Sequence, residues 1–174
     1  MKKVLIVGLS EIVGGTETFL MNYYRKINRE HIQFDFLTNK EHIAFEDEIR
    51  QLGGKIYKVL SPKAGYIKYK KSIRNFFEIH AKEYLAIWMN TSILINLDYL
   101  KYAIKSRILH SHTSRNFKGP LFGFLHFINK KISVKKYATD YWACATAAGK
   151  WFYTEDLLRT DSFCVISNAI DVDK

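Results

Sequence analysis

Cysteine and proline are scarce in this chain of 174 residues, with two of each, and acidic residues are outnumbered 17 to 27 by lysine and arginine. Cys144 and Cys164 lie in apolar runs, Tyr-Trp-Ala-Cys-Ala and Ser-Phe-Cys-Val-Ile, and not at C-x-x-C or metal-ligand spacing. That placement argues against a disulfide framework or a metal pair and predicts two buried thiols in a reducing cytoplasm. Pro62 and Pro120 are too few, and internal repeats too absent, for a low-complexity or repeat architecture. The chain also lacks any run of ~18 uncharged apolar residues, so no segment is expected to span a bilayer as a helix. Met1-Lys2-Lys3 opens like a signal peptide, but the apolar stretch after it ends within a few positions and Glu11 follows, which reads as a buried first strand.

What remains is a globular composition, 48% hydrophobic and 25% charged, sufficient for one domain with a sizeable core. The net charge of +10 predicts attraction to something anionic: nucleic acid, anionic lipid or a phosphorylated ligand. Charge alone does not choose among them.

Short apolar runs alternate with helical periodicity. Residues 4–7 form an unbroken apolar strand, and 16–27 a helix with Phe19, Leu20, Tyr23, Tyr24 and Ile27 on one face. A strand at 32–37, a helix at 44–52 stopped by Gly53-Gly54, and a strand at 56–60 follow. Tyr66, Tyr69, Ile73, Phe76 and Phe77 mark a helix over 65–81, before a largely apolar, central strand at 84–89. Beyond it come a short helix near 93–103, a strand at 107–112, a longer helix at 121–137, and strands at 141–145 and 163–166 flanking a helical piece at 147–153. Because consecutive parallel strands need crossovers of helical length, seven strands separated by helices predict an α/β fold with a doubly wound, mostly parallel, Rossmann-like sheet.

The first strand runs into Gly8-Leu9-Ser10-Glu11-Ile12-Val13-Gly14-Gly15-Thr16-Glu17 and then a helix. Such a turn lets backbone approach a ligand and offers free N–H groups at a helix start, at the carboxyl ends of the strands where open α/β sheets bind. It lacks the second and third glycines of G-x-G-x-x-G and the Gly-Lys-Ser/Thr of a phosphate-binding Walker loop, so neither a dinucleotide nor a nucleotide triphosphate site follows from it. No Ser or Cys sits on a G-x-S-x-G turn, which excludes that hydrolase pattern. The histidines have no carboxylate at ligand spacing, and no metal site or metal cofactor is expected.

A more specific match is carried by four ordered segments. Gly14-Gly15-Thr16-Glu17-Thr18-Phe19-Leu20 resembles the G-G-x-E-x-x-L signature of family 4 glycosyltransferases, which have the two-domain GT-B fold. Residues 107–114, Arg-Ile-Leu-His-Ser-His-Thr-Ser, resemble the R-I-x-H-S-H-x-S strand end of the branch that makes capsular and exopolysaccharides. Residues 143–150 are similar to that family's C-S-x-x-A segment, and Val165-Ile166-Ser167-Asn168-Ala169-Ile170-Asp171 to the V-I-x-N-G-I-D that closes its N-terminal domain. The resemblance implies that residues 1–168 are a Rossmann-like acceptor-side domain and 169–174 the start of a linker toward a donor-binding domain.

It further implies retaining sugar transfer from a nucleotide-sugar to a glycan or lipid-linked acceptor, with no metal, in a cytoplasmic protein that could sit peripherally on the inner membrane face. Gly14, Gly15, Thr16 and Glu17 would form the cleft loop near the donor diphosphate, Glu17 being either a cleft contact or a helix-terminal carboxylate. His112 is the expected catalytic-cleft histidine. His110, Ser114 and Arg115 are candidates for the acceptor; the two histidines, alternating on one strand, are expected to point to opposite faces or, if the strand has ended, to diverge into the loop, so that at most one faces the cleft. The isolated chain is expected to be inactive.

The charge is unevenly placed. Residues 50–77 carry eight basic residues and no acidic one, and 99–139 carry nine and none. Lys68, Lys70, Lys71 and Arg74 flank Tyr66, Tyr69, Phe76 and Phe77, a pattern suited to an amphipathic helix on an anionic bilayer; Phe117, Leu121, Phe122, Phe124, Leu125 and Phe127 near Lys118, Lys130 and Lys131 form a second such set. The alternative is that these aromatics pack on the sheet. Two rival functions remain open: a stand-alone α/β binding or assembly subunit, and a basic nucleic-acid-binding domain, although RNP-type, helix-turn-helix and zinc-knuckle patterns are absent and nucleic acid is not the expected partner.

Overall fold

The computed structural model describes residues 1–114 and 119–167. Seven strands are present: β1 (Lys2–Val7), β2 (Ile32–Thr38), β3 (Ile56–Lys58), β4 (Tyr84–Thr91), β5 (Ser106–Ser111), β6 (Asp140–Ala143) and β7 (Phe163–Val165). They form one sheet in the order β3-β2-β1-β4-β5-β6-β7, and each neighbouring pair is parallel. The helices are α1 (Gly15–Lys26), α2 (Glu46–Gln51), α3 (Tyr66–His80), α4 (Pro120–Lys131), α5 (Ser133–Tyr137), α6 (Thr146–Phe152) and α7 (Glu155–Leu158), with a longer 3-10 segment at Leu97–Tyr102. The helix expected at 121–137 is two helices that part at Ile132, whose backbone (φ −112°, ψ −54°) departs from regular helical geometry.

The sheet is buried on both faces, as the continuous apolar strands require. Ile6, Phe34, Phe36, Trp88 and Ile108 face α1 and α2, where they meet Phe19, Leu20, Met21 and Tyr24. Leu5, Val7, Leu37, Ile87, Met89 and Leu109 face the other way, against Tyr69, Ile73, Phe76 and Phe77 of α3 and Val134 and Phe152 of α5 and α6. The two-residue period of a strand explains the division.

Two expectations about surfaces are overturned. Cys164, in an apolar run, is exposed because β7 is the edge strand, and Cys144 is only half-buried. Of the α3 aromatics, Tyr69, Phe76 and Phe77 are buried on the core face and present nothing to a bilayer, and only Tyr66, at the start of the helix, is exposed. Of the basic set on that helix, Lys70 pairs with Asp98, Arg74 pairs with Glu78 across one turn, and Lys68 and Lys71 are exposed.

Helix α4 is turned the other way. Its one buried side chain is His126, which accepts a hydrogen bond from the Leu94 N–H (3.1 Å) and stacks on Trp151. Asn129 donates to the Leu94 carbonyl (2.8 Å) and Lys130 to the Lys150 carbonyl (2.6 Å). Polar groups therefore fasten this helix to the domain, while Leu121, Phe124 and Phe127 are 65%, 63% and 56% exposed. Phe117 and Lys118, expected to join this set, lie outside the described residues.

Candidate active site

The strand order reverses direction at β1 and β4, the switch point at which ligands enter open α/β sheets. A crevice of about 390 Å³ lies there, at the carboxyl ends of β1, β2 and β4. Ser10, Thr16, Thr38, Asn39, Thr91 and Ser92 supply polar walls, and Val7, Leu37 and Met89 part of an apolar floor. Glu17 is the one Asp or Glu side chain among the described residues lining it, and no lysine or arginine is among them.

The crevice depends on Gly8. This residue has φ +109°, and a Cβ built on it would stand 1.8 Å from the Asn90 carbonyl oxygen, so only glycine lets the end of β1 lie against β4. After Gly8 the chain crosses to Gly14, which opens α1 without a side-chain cap. The first turn of α1, with Gly15 and Thr16, thus begins at a residue that offers it no side-chain cap. Gly14 and Gly15 are exposed, and nothing lies within 4 Å of a Cβ placed on Gly15.

Glu17 combines both roles considered for it. One carboxylate oxygen accepts a hydrogen bond from the Ser10 N–H at 2.8 Å, tying the loop to the first turn of α1. The residue is 5% exposed, and no lysine or arginine pairs with it among the described residues, yet it lines the crevice. A carboxylate so placed is a hydrogen-bond acceptor for hydroxyl groups.

The two histidines do not diverge. Their ring centroids are 4.1 Å apart, because residues two apart on a strand share a face and β5 has barely ended at His112. Phe19 of α1 packs edge-on against both, at 5.2 Å. His110 is fully buried among Phe19, Trp88 and Trp142, so the acceptor contact expected of this ring is corrected: it has no surface to offer. Its Nδ1 accepts a hydrogen bond from the Trp88 indole N–H at 3.3 Å, and its Nε2 has no partner. Burial, and next the neighbouring His112, push its pKa down to about 3. His112 is half-buried and bonded through Nε2 to Asn90 Oδ1 at 2.8 Å; burial takes it down to about 4, against the opposing pull of Glu17. Both rings are neutral at pH 7.

Ser114 is exposed just past β5, and Arg115 lies outside the described residues. Sequence reasoning missed Gly8 as a structural requirement, and it missed Asn90 altogether because the β4 pattern was taken to end at 89. No group of three or more His, Cys, Asp or Glu side chains suited to a metal occurs among the described residues.

No protein-family model matches the chain. A curated relative, "Putative glycosyltransferase EpsF" of Bacillus subtilis (strain 168), is 28% identical over 182 aligned residues. The alignment covers 99% of this chain and 46% of EpsF, so the chain spans about half the length of that relative. Among solved structures, MurG of Acinetobacter baumannii matches with a TM-score of 0.54 at 10% identity, over 100% of this chain and 48% of MurG. The RCK domain of GsuK matches at a TM-score of 0.43 and 16% identity, over 80% of this chain and 25% of that one. In line with the resemblance read from the four segments, the chain is similar along its length in sequence to the bacterial "Putative glycosyltransferase EpsF", and its doubly wound fold matches about half of MurG, one half of a GT-B fold.

Proposed function

We propose that this chain is the acceptor-side domain of a retaining glycosyltransferase that builds a surface polysaccharide from a nucleotide-sugar. The observation that carries the reading is the crevice at the switch point, with a glycine turn and an uncapped helix start on one rim and His112, just past β5, bonded to Asn90 of its lining. A leaving diphosphate gathers negative charge as the glycosidic bond breaks, and N–H groups fixed in advance at a helix start stabilise it without reorganising. Gly14, Gly15 and Thr16 supply those groups without a metal. Among the described residues the crevice is walled by hydroxyls, amides and the Glu17 carboxylate, with no lysine or arginine. Such a lining suits the hydroxyls of a glycan or the sugar of a lipid-linked acceptor better than a phosphate.

A donor-binding domain across the cleft completes the site in this reading, since EpsF and MurG are each about twice as long as the match. The exposed apolar face of α4, beside Lys130, Lys131, Lys135 and Lys136, supports docking of the domain on an anionic membrane, which would bring it to a lipid-linked acceptor. The test is a transfer assay with a panel of nucleotide-sugars and membrane-extracted acceptors, run on the longer protein and on residues 1–174. Turnover by the longer protein, lost in its His112→Ala variant, and none by 1–174 is the expected outcome; turnover by 1–174 alone would refute the shared-cleft account.

A further inference from the structure

Asn90 sits at the end of the central strand β4, directly opposite His110 of β5 in the parallel register, and is 1% exposed. Its side-chain N–H₂ donates to the Trp88 carbonyl at 3.3 Å. Turning the amide over would set two carbonyl oxygens against each other, so this bond fixes Oδ1 as the atom facing His112. An oxygen only accepts. The 2.8 Å contact therefore requires His112 to carry its proton on Nε2, which leaves the lone pair on Nδ1. Among the described residues Nδ1 of His112 has no hydrogen-bond partner, and the ring is half-buried, whereas His110 beneath it is sealed.

We propose that Asn90 is a positioning residue that locks His112 as the Nε2–H tautomer, so that Nδ1 is presented to the cleft as an acceptor for a sugar hydroxyl. The inference rests on the transferase reading for its consequence but not for its geometry. Trp88 gives the neighbouring ring the same tautomer, since its indole N–H only donates and His110 Nδ1 must accept. The two rings are packed 4.1 Å apart, and the tautomer of the outer one is decided by its bond to Asn90 of β4. Without Asn90 the His112 ring would be free to rotate or to shift its proton, and its acceptor atom would be lost for part of the time.

The test begins with nitrogen-15 spectra of the imidazoles in residues 1–174. His112 should show a protonated Nε2 and an unprotonated Nδ1 in the wild type and in Asn90→Asp, which keeps the accepting oxygen, and a mixture in Asn90→Leu. A wild-type His112 protonated on Nδ1, or an unchanged tautomer in a folded Asn90→Leu, overturns the proposal. If Asn90→Leu fails to fold, the wild-type and Asn90→Asp spectra still decide the tautomer. In the longer protein, Asn90→Leu should lower kcat by about 2- to 10-fold, the worth of one hydrogen bond, with donor KM little changed and with recovery in Asn90→Asp. Wild-type kcat in Asn90→Leu would also overturn it. Absence of turnover by the wild type with every donor would instead sink the transferase reading, and the spectra would still decide whether Asn90 sets the tautomer.

Discussion

Gly8, Gly14 and Gly15 share one loop yet answer to different physics. At Gly8 a side chain meets the Asn90 carbonyl and a positive φ together. Gly8→Ala should therefore cost about 3 kcal/mol or more, the sum of backbone strain and overpacking. Gly15 opens a helix in open space, so Gly15→Ala should leave stability within about 1 kcal/mol. Urea unfolding of the two variants checks the contrast, and equal midpoints would show that the close approach of β1 to β4 does not matter. The glycine motif was legible because it is local in sequence. The need for Gly8 was not, since its neighbour Asn90 is 82 residues away.

Helices α3 and α4 show why an amphipathic pattern does not reveal which face is covered. Both carry aromatics beside lysines. In α3 the aromatics other than Tyr66 fill the core, and in α4 they face outward while His126 and Asn129 hold the helix to Leu94. Burying several α4 side chains in lipid is worth about 1.5–3 kcal/mol for each one fully covered, and each nearby lysine adds about 1 kcal/mol at an anionic surface. Flotation with liposomes containing phosphatidylserine should recover the chain. The double variant Phe124→Ser with Phe127→Ser should stay in the soluble fraction, whereas Lys68→Glu with Lys71→Glu should retain most binding. Equal recovery with neutral and anionic liposomes would remove the electrostatic part, and equal recovery of all variants would remove α4.

For the domain as a unit, the buried histidines predict an acid limit. The folded-state pKa values of His110 and His112, about 3 and about 4, lie below the ~6.5 of an unfolded histidine. The unfolded chain therefore binds more protons as pH falls. Stability from these rings is complete above about pH 6.5 and is lost downward, at about 1.4 kcal/mol per pH unit for each ring. By pH 5 the loss is roughly 4 kcal/mol, a large part of a typical 5–15 kcal/mol. Glu46 and Glu83, held below the ordinary carboxylate range chiefly by Arg50 and His80, add to the loss only below about pH 4.5. Denaturant unfolding between pH 7 and pH 5 should show this slope, reduced by about half in His112→Gln; a flat profile would mean that the rings are charged in the folded state.

The alternation of strand and helix, the number of strands and the glycine turn at the tip of β1 were determined by sequence, because each is written in spacings of a few residues and in local backbone chemistry. Tertiary structure decided which amphipathic face is sealed, that His110 is withdrawn while His112 is not, and that Asn90 holds the latter. Those outcomes depend on pairing between β4 and β5 and on what packs over them. Such contacts join residues far apart along the chain, and a periodicity records that a face is apolar without recording what comes to cover it.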